Sequence, residues 1–163
     1  MFKQIFFYEL KYWLKKPAYY LYAIVFLLIA FIAMVGSAGL FDPTTLDNGK
    51  VAFINSPFEI NALFQYFNKL LLFLVPTIIG ATLYKDYKES AHSIMYSFPI
   101  KKKTYLLGKF LSALLLVSII IFLMLLALML AEKLPFLNQT KFGDFSISAY
   151  AYTLFVFAIP NMI

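Results

Sequence analysis

Few residues in this 163-residue chain could carry chemistry. There is one histidine, His92, and no cysteine. Disulfides, thiolate zinc sites, iron–sulfur clusters and cysteine nucleophiles are therefore excluded, and one chain cannot build a multi-histidine metal site or a bis-histidine haem. His92 has no companion ligand in reach along the sequence and reads as a surface or interface histidine. Thr77, Ser112 and Ser118 occur in apolar runs, where hydroxyls return hydrogen bonds to their own helix backbone. No phosphate-binding glycine loop, H-E-x-x-H, G-x-S-x-G or paired intramembrane aspartate occurs. Three places then remain: Glu9, Lys69 with its neighbour Asn68, and the charged stretch from Lys85 to Thr104.

The background to these residues is apolar. Hydrophobic residues make up 63% and charged residues 13%, about half the usual share for soluble domains. Mean hydropathy is +0.81. Disorder needs the opposite balance, and a soluble surface needs more charge. The charges leave gaps at Pro17–Phe41 (25 residues), Leu70–Tyr84 (15), Phe110–Ala131 (22) and Phe145–Ile163 (19). About 20 helical residues cross the roughly 30 Å hydrocarbon core. The second gap reaches that length if its helix begins near Ala62 and takes in Asn68 and Lys69. An all-α bundle of four spans follows, at 18–40, 62–84, 106–131 and 146–163. A cleaved signal peptide at Ser37-Ala38-Gly39 is the competing reading of the first gap, but its apolar run far exceeds an h-region.

Lysine placement sets the expected orientation. All fourteen basic residues are lysines. Lys3, Lys11, Lys15, Lys16, Lys85, Lys88, Lys101, Lys102, Lys103 and Lys109 fall on one side, against Glu9, Asp86 and Glu89. Lys50, Lys69, Lys133 and Lys141 fall on the other, against Asp42, Asp47, Glu59, Glu132 and Asp144. The N-terminus and the 85–105 loop are thus expected to be cytoplasmic. The basic pI of 9.4 reflects this topology and contact with anionic headgroups, with no further sign of nucleic-acid binding. Tyr12, Trp13, Tyr19, Tyr20, Tyr84, Tyr87 and Tyr105 fall where interfacial aromatic belts belong.

Residues 1–17 read as an amphipathic helix lying in the interface plane. Gln4, Tyr8, Lys11 and Lys15 form one stripe, with Phe2, Phe6, Leu10 and Trp13 opposite. Glu9 stands at the edge of the apolar face, either pairing with a lysine or another segment or snorkelling to water. Pro17 ends this helix and starts the next. In the 41–61 loop, Asp42-Pro43, Asp47-Asn48-Gly49 and Ser56-Pro57 are turn signals. Lys69 is read either as snorkelling or as lining a pathway. Pro76 should kink the second span, and Gly80 could admit a close neighbour. Beyond it, residues 85–96 suit a short helix, Ser97-Phe98-Pro99 breaks it, and Thr104 suits the N-cap of the third span.

The order of these elements resembles the type-two class of ATP-binding-cassette exporter permeases, in its Lys- and Phe-rich Bacteroidota style. The resemblance rests on Glu9-Leu10-Lys11-Tyr12-Trp13-Leu14-Lys15-Lys16-Pro17 before the first span. It rests also on Tyr96-Ser97-Phe98-Pro99-Ile100-Lys101-Lys102-Lys103-Thr104-Tyr105-Leu106-Leu107-Gly108-Lys109 before the third. It implies an elbow helix carrying Glu9, Lys11, Trp13, Lys15 and Lys16. It also implies a coupling helix meeting a cytoplasmic ATPase subunit through Asp86, Lys88, Glu89, Tyr96, Phe98, Pro99 and Lys101. ATP and magnesium would reside on that partner, so this chain would be no enzyme and hold no cofactor. Two permease copies, identical or not, would form one pathway, with Lys69 and Asn68 candidates to line it. The setting would be a bacterial inner membrane with the N-terminus inside. Family members have six spans, so this chain is expected to be part of a longer permease; nothing of the zinc aminopeptidase domain that some members carry is present. Lipid, peptide, drug and polysaccharide are all compatible cargoes. The alternative is a small four-helix structural or assembly subunit without transport, and a membrane enzyme is the weakest option.

Overall fold

The computed structural model describes residues 2–40, 53–88, 101–135, 137 and 141–158. All regular structure among them is helical: α1 (Phe2–Leu14), α2 (Pro17–Val35), α3 (Pro57–Lys88), α4 (Lys102–Glu132) and α5 (Ile147–Thr153). Wider π-helical turns continue α2 through Gly36–Leu40 and α5 through Leu154–Ala158. Three helices are long and apolar enough to cross a membrane: Pro17–Ala38, Pro57–Lys88 and Lys102–Glu132. The fourth apolar segment, Ile147–Val156, is shorter than a span, and residues 159–163 of the expected fourth span lie outside the described residues.

Helix boundaries follow local chemistry more than the charge gaps. α3 starts at Pro57, five residues before Ala62. The Ser56 hydroxyl accepts from the Glu59 amide at 3.3 Å, and the Ser56 carbonyl accepts from the Ile60 amide at 3.0 Å. Ser56-Pro57 is thus the cap and first position of a helix, where the sequence suggests a loop turn. At its other end α3 carries Lys85 and Lys88 in its last turn, where cations oppose the helix dipole favourably. α3 continues as helix through Pro76. α4 begins before Thr104, whose amide donates to the Lys101 carbonyl at 2.9 Å. Thr104 is therefore inside the first turn and is not the cap; the lysines before it are good helix formers. The hydroxyls of Ser37, Thr77 and Ser118 donate to carbonyls four residues back, as expected for apolar helices.

The chain divides into two compact units. The first comprises residues 1–21 and 71–119, the second residues 22–70 and 120–163. In the first unit Leu71, Leu74 and Ile78 of α3 and Ala113, Leu116 and Val117 of α4 are buried together with Trp13 and Tyr19. Helix α1 approaches α4 closely: a Cβ on Gly108 would lie 3.1 Å from Ile5 Cγ2. Tyr19 donates its hydroxyl to the Leu116 carbonyl at 3.1 Å. The buried residues of α1 are Glu9 and Trp13, one turn apart, with Ile5 half-buried one turn earlier on the same edge, while Phe2 and Phe7 are exposed. That edge is rotated from the Phe2–Phe6–Leu10–Trp13 face read in the sequence, because Glu9 is drawn inward.

In the second unit Ala23, Phe26, Ala30, Met34 and Ala38 are buried at helical spacing along α2. Ile60, Phe64 and Phe67 of α3 and Ile120, Ile121, Met124, Leu125 and Leu128 of α4 are buried too. The outer face of α2 is Ile24, Val25, Leu28 and Ile32, all exposed and apolar. Such a face suits hydrocarbon and would be costly in water.

Candidate functional site: one lysine held by two buried carboxylates

Lys109 lies two turns into α4 and is 1% exposed. Its ammonium is 3.1 Å from Glu9 Oε1 of α1 and forms an ion pair with Asp86 Oδ2 of α3. It donates to the Thr82 carbonyl of α3 at 2.7 Å. An ammonium has three N–H donors, and three acceptors surround this one. The Tyr105 hydroxyl, one turn before Lys109, donates to Asp86 Oδ2. Glu9 is 2% and Asp86 4% exposed. Three ionisable side chains from three helices thus share one dry site, and all belong to the first unit.

Burying ions costs several kcal/mol each, and mutual attraction repays this only with good geometry and satisfied hydrogen bonds. Lys109 and Asp86 meet that condition. Glu9 meets half of it: Oε1 accepts from Lys109, while Oε2 is buried without a hydrogen-bond partner. Trp13 Nε1, one turn further along α1, is likewise buried and unpartnered. Around this site Lys85 stacks on the Tyr12 ring at 3.3 Å, and Lys16 covers Tyr12 and Trp13 at 4.4 and 5.3 Å. The Lys85 contact clips α1 to the end of α3, while those of Lys16 stay local to the end of α1. Among the described residues no cluster of His, Cys, Asp and Glu could hold a metal. The arrangement is an ion-paired joint of three helices.

The second unit has its own polar centre. Glu132, the last residue of α4, is 6% exposed. Its Oε1 accepts from Asn55 Nδ2 at 2.8 Å and its Oε2 from the Tyr150 hydroxyl at 2.5 Å. Asn55 Oδ1 accepts from the Gly143 amide and Asn55 Nδ2 donates to the Gly143 carbonyl, both at 2.8 Å. Gly143 permits this approach, since a Cβ there would stand 3.0 Å from the Phe53 ring. The Ile54 amide donates to the Lys141 carbonyl at 3.1 Å. One carboxylate therefore ties the end of α4 to α5 and to the segment before α3.

The residues singled out in the sequence are dispersed. Glu9 and Asp86 enter the joint, and Trp13 is buried one turn from Glu9. Asp86 is turned inward toward Lys109 and Tyr105, away from solvent. Lys11, Lys15, Lys88 and Lys101 are exposed, and Lys16 is half-buried. Lys69 is exposed on α3 with its ammonium 5.3 Å from the Tyr66 ring; Asn68 belongs to the same helix. Glu89, His92, Tyr96, Phe98 and Pro99 lie outside the described residues. Sequence reasoning missed Lys109 as the centre, with Tyr105 and Thr82, and missed Asn55, Glu132 and Tyr150 entirely. The available signal was Glu9, a carboxylate beside an apolar face and in need of a cation. A scan against protein-family models, a search of curated proteins and a search of solved structures each gave no match.

Proposed function

We propose that this chain is a transmembrane permease subunit of an ATP-driven exporter of the ATP-binding-cassette type-two class. In this reading α1 is the elbow helix at the cytoplasmic interface and residues 89–100 hold the coupling segment. The observation that carries the reading is the Glu9–Lys109–Asp86 joint. It fastens α1 to the last turn of α3 and the start of α4, the two helical ends that flank residues 89–100. A push on that segment by an ATPase subunit would move three helix ends as one body. ATP binding shifts a two-state equilibrium, and a lever of this kind delivers the shift to the spans.

In this reading the N-terminus is inside, at the inner membrane of a bacterium, and residues 146–163 are the fourth span. A second permease copy completes the pathway. Gln65, Lys69 and Thr77 are exposed on spanning helix α3, where a polar neighbour suits them better than hydrocarbon. In this reading Lys88, Glu89, Tyr96, Phe98, Pro99 and Lys101 are the candidate contacts of the ATPase, and the ATP and magnesium stay on that subunit.

The test is purification of the tagged chain from its native host in mild detergent. An ATP-binding-cassette ATPase should co-purify, and Lys109→Met should uncouple its hydrolysis from transport while the chain still inserts. Co-purification with a complex that lacks an ATPase would replace this reading with that of a structural subunit.

A further inference from the structure

The three helices of the joint are not held equally. Lys109 has three acceptors, and two of them, Asp86 and the Thr82 carbonyl, belong to α3. Asp86 also accepts from Tyr105 of α4. These bonds keep α3 and α4 together whether or not α1 is in place. Helix α1 enters the joint through one charged contact, Glu9 Oε1 to Lys109 at 3.1 Å. Beside it lie the Lys85 ammonium on the Tyr12 ring and Ile5 against Gly108.

Docking also has a cost that falls on α1. Among the described residues of this unit, the buried side-chain polar atoms without a partner are Glu9 Oε2 and Trp13 Nε1, and both are on α1. An orphaned buried acceptor or donor is destabilising, and solvent would satisfy both if α1 lifted. While α1 is docked, neither atom has enough open surface to touch a bridging water. The connection to α2 suits such a movement. α1 ends at Leu14, and Pro17, which has no amide hydrogen to bond back, starts α2. Two residues on, buried Tyr19 donates to the Leu116 carbonyl of α4 at 3.1 Å, so the start of α2 is anchored independently of α1. The exposed bond from the Tyr20 hydroxyl to the Leu14 carbonyl, 2.8 Å, lies at the pivot itself.

We propose that α1 is a releasable strap. It opens at the Glu9–Lys109 contact and swings on residues 15–17, while Lys109, Asp86 and Tyr105 keep α3 and α4 joined. With the strap closed, the three helix ends move together; with it open, α1 is uncoupled from the other two. The inference rests on the first unit alone and does not depend on export or on an ATPase.

The experiment is amide hydrogen exchange of the purified chain in detergent, read separately over α1 and over residues 106–113 of α4. Glu9→Gln should speed exchange over α1 about tenfold and leave residues 106–113 within about twofold of the unaltered chain. Asp86→Asn should speed exchange over residues 106–113 as well. A Cβ on Gly108 would lie 3.4 Å from Ile5 Cβ, close to the separation that a disulfide spans, and the chain has no cysteine of its own. Ile5→Cys combined with Gly108→Cys can therefore lock the strap. Oxidised, this variant should slow exchange over α1 at least about tenfold, and a reductant should restore it. Three results would overturn the proposal: a Glu9→Gln change that speeds α1 and residues 106–113 together, one that leaves α1 unchanged, or a closed disulfide without effect on α1.

Discussion

Each unit is built around a buried carboxylate, and the two solve the problem differently. In the first, Glu9 and Asp86 share a full positive charge on Lys109, delivered from helix to helix. In the second, Glu132 is met by neutral donors, the Asn55 amide and the Tyr150 hydroxyl, and the partners come from chain segments outside the long helices as well as from α5. The charged joint is costly when one member is lost, because the remaining ions stay buried. The other loses charge-assisted hydrogen bonds one at a time, so its loss is smaller and more gradual. A charged joint therefore suits a place that must hold or release as a unit. A neutral clasp suits a place that only has to stay folded.

The sharpest way to break this contrast is Lys109→Met. Two carboxylates would be left buried without a cation, and denaturant melts in detergent should show a loss of about 3–5 kcal/mol. Adding Glu9→Gln and Asp86→Asn to that variant should recover most of the loss, because no net charge then remains inside. If the triple variant is no better than Lys109→Met alone, the joint is not electrostatic. Next in size is Glu132→Ala, which strands the Asn55 and Tyr150 donors and should cost about 1.5–3 kcal/mol by the same measurement. Here Glu132→Gln should recover part of the stability, since an amide oxygen still accepts one bond. Smaller again is the pair Tyr105→Phe and Tyr150→Phe. Each removes one donor to a carboxylate, and each should cost about 1–2 kcal/mol, with the Tyr105 change smaller because Lys109 still holds Asp86. At the lower end is Lys69→Gln, which should leave the melting curve unmoved and, on the permease reading, alter only transport. A large destabilisation there would mean that this exposed lysine is structural.

Much of the helical frame is legible in the sequence, because solvent and hydrocarbon sort charge from apolar residues over about 20 positions. The gaps at Pro17–Phe41 and Phe110–Ala131 locate α2 and most of α4. Boundaries are less legible, because the same residue types end and begin structure. Ser56-Pro57 can turn a loop or cap a helix, and only the Glu59 amide 3.3 Å from the Ser56 hydroxyl shows which. The joint is the least legible part. Lys109 reads as one more lysine of a basic loop, since its partner Glu9 is 100 positions away and Asp86 shares its stretch with Lys85 and Lys88. Glu132 reads as a solvated acid after the third span, because nothing local signals that Asn55 and Tyr150 converge on it.

Trp13 is the sole tryptophan in the chain and is 5% exposed, one turn from Glu9 on the buried edge of α1. The molecule thus carries its own optical reporter at the joint. Emission from a dry indole lies to the blue, and lifting α1 away from Lys109 would admit water and carry it toward the red. A stopped-flow trace at that wavelength would time the opening of the joint without a label, against any nucleotide or lipid that drives it.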